Sequence, residues 1–363
     1  MRILYDGQIY RVQASGGINR YFANIIAGLP ETFEPHLTTC QIREVNYPSH
    51  PQLHTHSFNL FYPQRVTYRV ANYYFRSVAA RNQFDVVHPT YYSLLTRQPM
   101  RKLRRPIVLT VWDMISEVFA DQLDPTGRVA QEKREAIEAA QIILCISHHT
   151  KQDLLRFHPG IEDRIRVTHL AADIDFTLSF GEETVPQQPY FLYVGSRMAY
   201  KNFDRLLQAF AHVASMHKDV MLAVVGAPWD TREGNLLDDL SLIGKVQHMG
   251  LVSDTHLAKL YRCSAAFVYP SLYEGFGIPP LEAMACHTPV IAANTSSIPE
   301  VVGDAGVLFD PTSVQELTDI LLSMLSDDRL RRQLIKQGQE HVQNFKWSKT
   351  VAQTIDAYGA VCG

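Results

Sequence analysis

Short, nearly unbroken apolar runs alternate with amphipathic stretches along the whole chain, and this alternation restricts the fold more than any other feature of the sequence. In the first half, runs at 2–5, 36–40, 85–88, 107–111, 142–146 and 165–168 read as strands. Helical patterns fall between them at 18–29, 65–81, 127–140 and 148–157. The second half repeats the scheme. Strands are expected at 190–195, 220–226, 246–250, 265–270, 289–293 and 307–310, and helices at 202–217, 254–262, 279–286, 314–326 and 329–344. Strands apolar on both faces and separated by helices belong to parallel sheets with helices covering each side. The stretch 173–189 is polar, holds two prolines and shows no periodicity, so it is the linker candidate. The expectation is an α/β protein of two Rossmann-like doubly wound domains facing across a cleft: 1–180, 181–345, and a terminal helix at 346–363 crossing back to the first. Ligands of such sheets sit beyond the carboxyl ends of the strands.

Composition narrows the function classes. With 46% hydrophobic and 20% charged residues the chain is neither a membrane protein nor disordered. No apolar run approaches the ~20 residues that span a bilayer, and from the start MRILYDGQIY no cleavable signal peptide is expected. The five cysteines are odd in number and form no CxxC pair, which argues against disulfides and cysteine-bound zinc and points to the cytoplasm. Residues 1–180 carry 20 Lys and Arg against 17 Asp and Glu, too even a balance for a nucleic-acid binder. Residues 64–105 differ, with nine basic side chains against Asp85 alone. Arg65, Arg69, Asn72 and Arg76 fall on one helical stripe flanked by Val66, Val70, Tyr73, Tyr74 and Phe75. Such a helix suits an anionic membrane surface, so a peripheral position on the inner face of the membrane is expected.

Three loops can carry chemistry. In YEGFGIPPLEA, Gly275 and Gly277 let backbone approach a ligand, and the helix start near Ile278 offers N–H groups to a phosphate. Glu274 before this turn and Glu282 within the helix can reach different parts of one ligand, such as two sets of sugar hydroxyls. In GSRMAYKN, the strand ends at Gly195, and Arg197 and Lys201 place a planar fork and a compact charge on one loop, as a diphosphate needs. Gly16-Gly17 follow the first strand and open a helix, without a full dinucleotide fingerprint. No histidine pair has metal-site spacing on a helix, and Asp173 and Asp175, although spaced D-x-D, open the linker. No metal and no other cofactor are expected.

Taken together, PSLYEGFG, the helix after it and TPVIAANTSSIPEVVGDAG resemble the family 4 retaining glycosyltransferases of the GT-B fold, over nearly the whole chain and most strongly over 190–311. The resemblance implies that Glu274 contacts the donor sugar and Glu282 the nucleotide ribose. It implies that Arg197 and Lys201 bind the donor pyrophosphate, with Gly275, Phe276, Gly277 and Ile278 forming the turn beside it. Gly16 and Gly17 would lie against the diphosphate and acceptor, and backbone near Val252 would touch the base. Many members carry His-Asp where this chain has Trp112-Asp113; an indole cannot accept a hydrogen bond, so Trp112 either changes that histidine's contact with the sugar or packs beneath the cleft, while Asp113 remains. The function implied is metal-independent, retaining transfer of a hexose from a nucleotide sugar to a glycan or lipid-linked hydroxyl in surface polysaccharide assembly. EGFGIPPLEA is similar to bacterial O-antigen mannosyltransferases, which makes GDP-mannose the first expectation for the donor. The rivals are a sugar-nucleotide epimerase of the same fold and a non-catalytic two-domain sugar-binding protein.

Overall fold

The computed structural model describes residues 1–13, 16–40, 46–81 and 83–363, the side chains of Gln64 and Arg81 excepted; Ser15, beside the Gly16-Gly17 turn, lies outside them. The chain divides into two compact units, Met1–Leu170 with Trp347–Gly363, and Ala171–Lys346.

The first unit holds β1 (Arg2–Asp6), β2 (Glu34–Thr39), β3 (His54–Ser57), β4 (Val86–Val87), β5 (Val108–Val111), β6 (Ile142–Cys145) and β7 (Ile165–Val167). β3-β2-β1-β4 form one parallel sheet and β5-β6-β7 another, and a parallel bridge from Val87 to Ile107 joins the two. The helix Trp347–Cys362 packs on this unit. Its Tyr358 is fully buried, with its hydroxyl 3.0 Å from that of Tyr5 and 2.7 Å from His88 Nδ1. His88 Nε2 lies 2.9 Å from Thr110 Oγ1, and burial holds this imidazole down at about 3.

The second unit is a six-stranded parallel sheet: β8 (Tyr190–Val194), β9 (Met221–Val225), β10 (Val246–Gly250), β11 (Ala266–Tyr269), β12 (Val290–Ala293) and β13 (Val307–Phe309). Its order is β10-β9-β8-β11-β12-β13. Tyr190, Phe191, Leu192 and Tyr193 of β8 are all buried, as a central strand covered on both faces requires. The chain leaves β8 toward β9 and leaves β11 toward β12. The loops after β8 and β11 therefore diverge from adjacent strands and open a crevice at the switch point.

Four departures from expectation stand out. β3, HTHS, has no apolar side chain and gave no strand signal; it pairs at the edge of β2, His36 opposite His54 and Thr38 opposite His56. The unit boundary lies at 170/171, not 180/181, because Phe176 and Phe180 belong to the second unit. Phe176 stacks on His287 at 4.0 Å, and the Arg262 guanidinium lies 4.5 Å from the Phe180 ring centre. The flank of the helix Gln64–Arg81 divides. Phe75 is buried with Cys40, Ala71 and Leu95, and Tyr74 packs against that cluster, whereas Val66, Val70 and Tyr73 stay exposed. The helix Thr231–Asp239 also escaped the apolar pattern.

Candidate active site

The crevice at the switch point of the second unit collects its chemistry. After β8 the chain makes a short turn, Ala199–Lys201, and Asn202 adopts a left-handed conformation (φ 58°) before the helix Phe203–Met216. The Asn202 amide donates to Pro270 O at 3.0 Å and Pro311 O at 2.9 Å, tying three carboxyl-edge loops together. Leu272 N donates to Tyr200 O at 2.7 Å, so the loops after β8 and β11 are bonded through their backbones as well.

This frame brings Lys201 onto Glu274. The Lys201 ammonium donates to both carboxylate oxygens, at 2.8 and 2.9 Å, with 18% and 12% of the two side chains exposed. Tyr269 hydrogen-bonds Glu274, and burial together with that carboxylate raises the phenol well above its ordinary value. The loop holding Glu274 is fixed from beneath: Glu274 N donates to Ser296 Oγ at 2.9 Å, and Ser297 Oγ lies 2.8 Å from Glu274 O and 2.7 Å from Phe276 O.

Arg197 is held apart from that pair. Its Nε donates to Glu233 Oε1 at 2.6 Å and one terminal nitrogen to Glu233 Oε2 at 3.0 Å, with both side chains almost fully buried. The same terminal nitrogen donates to Ala227 O and Pro228 O, both at 2.9 Å, and the guanidinium carbon sits 4.6 Å from the Trp229 ring centre. The other terminal nitrogen, Nη1, is buried without a hydrogen-bond partner. A cation so clamped is preorganised for an anion. Glu233 doubles as the reciprocal partner in the capping box of its helix, Asp230 N donating to it at 2.9 Å.

The helix Ile278–Ala285 starts at Gly277, whose φ of 124° excludes a side chain. Of the four N–H groups that a helix start leaves open, Pro279 and Pro280 remove two, leaving Gly277 and Ile278 as the donors. Glu282 is buried on this helix and accepts from Tyr261 OH at 3.3 Å. Gly195 ends β8, and Val252 follows the edge strand β10 beside the exposed Leu251.

Gly16, Gly17 and Asp113 belong to the first unit. Gly16 caps the helix Gly17–Ala27, and a side chain there would come within 2.5 Å of Gln13 Nε2. Asp113 accepts from Ile115 N at 3.0 Å, and its carbonyl accepts from the buried Lys133, which also pairs with Glu117 at 2.8 Å. Trp112 is a packing residue: 7% exposed, it meets Tyr21 edge-on at 4.8 Å and Phe22 at 6.0 Å. Sequence reasoning missed Glu233, Trp229, Asn202, Ser296 and Ser297. Only Asp230-x-x-Glu233 carries a readable signal, the spacing of a capping box.

A doubly wound unit with two cations and a carboxylate at its switch point has the arrangement of a ligand-binding α/β protein. Comparison with known proteins gives the family. The model for glycosyl transferases group 1 matches residues 175–341, and that for glycosyltransferase family 4 matches residues 15–176. The chain is 33% identical to the O-antigen chain mannosyltransferase B of Escherichia coli, over 69% of each chain. It is 30% identical to the MMP alpha-(1->4)-mannosyltransferase of Mycolicibacterium hassiacum, over 77% of this chain and 71% of the other. The solved sucrose-phosphate synthase of Thermosynechococcus elongatus superposes with a TM-score of 0.79 at 20% identity, over 99% of this chain and 98% of that one. The chain belongs to the family 4 glycosyltransferases, with the GT-B fold. It is an enzyme, and the epimerase and non-catalytic readings fall away.

Proposed function

We propose that this glycosyltransferase moves mannose from GDP-mannose to a hydroxyl of a glycan or lipid-linked acceptor in surface polysaccharide assembly. Configuration is retained at the anomeric carbon, and no metal acts at the transfer site. The observation that carries this reading is the Lys201–Glu274 pair at the switch point with the clamped Arg197 on the same loop. As the anomeric bond breaks, negative charge grows on the leaving phosphate. Lys201, Arg197 and the N–H groups of Gly277 and Ile278 offset it, which is the task a metal ion performs elsewhere. Glu274 then faces the sugar and Glu282 the ribose. Mannose is favoured because both relatives described above are mannosyltransferases by name. The test is to incubate the full chain, in excess chelator, with GDP-mannose, UDP-glucose and ADP-glucose, and to follow donor loss by chromatography. GDP-mannose should be consumed fastest, and NMR of the glycosylated product should show the donor's α configuration. Turnover that requires added manganese, a β product, or consumption confined to UDP-glucose would each overturn its part of the proposal.

A second reading adds attachment to an anionic lipid surface. Arg65 and Arg69 are exposed along one face of the helix Gln64–Arg81, beside Val66, Val70 and Tyr73, and Tyr62 just before the helix is 91% exposed. Among the described residues no helix is long and apolar enough to cross a membrane. Each cation near such a surface is worth about 1 kcal/mol. Cosedimentation with anionic but not neutral vesicles, lost in Arg65→Glu/Arg69→Glu, is the expected result; no binding to anionic vesicles at low salt would refute it.

A further inference from the structure

The outer edge of the first unit's sheet carries a histidine cluster that glycosyl transfer does not use. Because side chains alternate along a strand, Glu34 and His36 of β2 share a face. His54 and His56 of β3 share the same one. The His36 ring stacks on His54 at 4.6 Å between centres and on His56 at 5.4 Å. His36 is only 8% exposed. Its Nδ1 lies 3.1 Å from His56 Nε2, while its own Nε2 is buried without a hydrogen-bond partner. One ring nitrogen of His36, one of His54 and a carboxylate oxygen of Glu34 all lie within 4.8 Å of one another. The four-residue edge strand His-Thr-His-Ser has no apolar face of its own to bury.

We propose that Glu34, His36 and His54 bind a zinc ion that fastens β3 to the sheet, with His56 as the positioning partner of His36. Two imidazoles and a carboxylate are a zinc donor set, whereas magnesium and calcium take oxygen ligands. A metal-ligating histidine donates its second ring N–H to an acceptor. His56 Nε2 stands where that acceptor is needed and leaves His36 Nε2 for the ion. Arg2 Nε anchors Glu34 Oε2 at 3.0 Å and orients the carboxylate. Zinc bonds of 2.0–2.1 Å require the ligand atoms to draw in to about 3.3 Å from one another, a movement that the exposed His54 side chain can supply. Glu34 and His54 begin their parallel strands, so the ion sits toward the amino ends, away from the carboxyl-edge loops of that unit. Its role is structural and is compatible with transfer that needs no metal.

The test uses the full chain without an affinity tag, stripped by chelator and titrated with zinc chloride by calorimetry at pH 7.5. The wild type should bind one zinc per chain and give no heat with magnesium or calcium. His54→Ala changes an exposed residue and so leaves the fold intact; it should weaken binding at least 100-fold, and His56→Ala about tenfold, the scale of losing an outer partner. Zinc should slow amide exchange of residues 55–57 at least tenfold in the wild type and not in His54→Ala. Absence of saturable zinc binding below about 100 µM, well short of ordinary structural-site affinity, would overturn the proposal. So would equal affinity in the wild type and His54→Ala.

Discussion

Glu274 pairs with Lys201, so on the proposed function the carboxylate competes with the donor diphosphate for the same ammonium. Both oxygens lie within 2.9 Å of Nζ, and the pair is mostly shielded from water. A hydrogen bond to a charged group contributes about 1.5–3 kcal/mol, roughly twice a neutral one. Glu274→Gln keeps the shape and one acceptor but halves this hold, returning about 1 kcal/mol to an incoming anion. The variant should therefore bind free nucleoside diphosphate about fivefold more tightly than the wild type. Glu274→Ala, which removes both of these bonds, should gain about 30-fold, corresponding to ~2 kcal/mol. Turnover should move the other way, falling at least about 100-fold in both, because the group facing the sugar is gone. Calorimetry with free GDP at low and high salt, beside single-turnover assays with donor and acceptor, measures both sides. Unchanged or weaker diphosphate binding in both variants would refute the competition.

Three further outcomes follow from the same geometry. Glu233→Gln removes the charge that clamps the buried Arg197, so turnover should drop about tenfold or more with a lowered melting temperature; wild-type kinetics would show that Arg197 needs no clamp. Ser297→Ala strips a shared donor from Glu274 O and Phe276 O, costing about 1–3 kcal/mol of stability and lowering kcat more than diphosphate affinity, as denaturant melts and calorimetry would reveal. His88 titrates near 6.5 when unfolded and at about 3 when folded, so its contribution is complete above pH 6.5 and is lost as pH falls toward 3. Asp6, raised to about 7 by burial, acts with the opposite sign, so the wild type should be compared with His88→Gln by denaturant unfolding at pH 7 and 4. Parallel pH dependence in the two would contradict the assignment.

Most strands of the second unit were legible because they are apolar on both faces, the edge strand β10 excepted, and the loops that hold Arg197, Lys201 and Glu274 were legible as the turns that follow β8 and β11. What stayed hidden depended on partners remote in sequence. Nothing near Arg197 announces that Glu233, 36 positions on, grips it, and Ser297 looks like any loop serine until it meets the carbonyls of 274 and 276. β3 escaped because alternation reveals only strands with an apolar face, and its H-x-H spacing was invisible to a search for histidines on helices. Trp112 was ambiguous in sequence because an indole serves equally as a ligand wall or a packing block; its edge-on contacts with Tyr21 and Phe22 decide for packing.

The first unit is built from both ends of the chain, whereas the second is one continuous insertion between residues 170 and 347. During vectorial synthesis, Ala171–Lys346 can therefore close as soon as it leaves the ribosome. The first unit must wait for the helix Trp347–Cys362, since the Tyr358 hydroxyl that Tyr5 and His88 share is translated after the whole second unit. An expressed fragment of 171–346 can thus be self-sufficient, while a fragment of 1–170 leaves the buried Tyr5 hydroxyl and His88 Nδ1 without the Tyr358 hydroxyl.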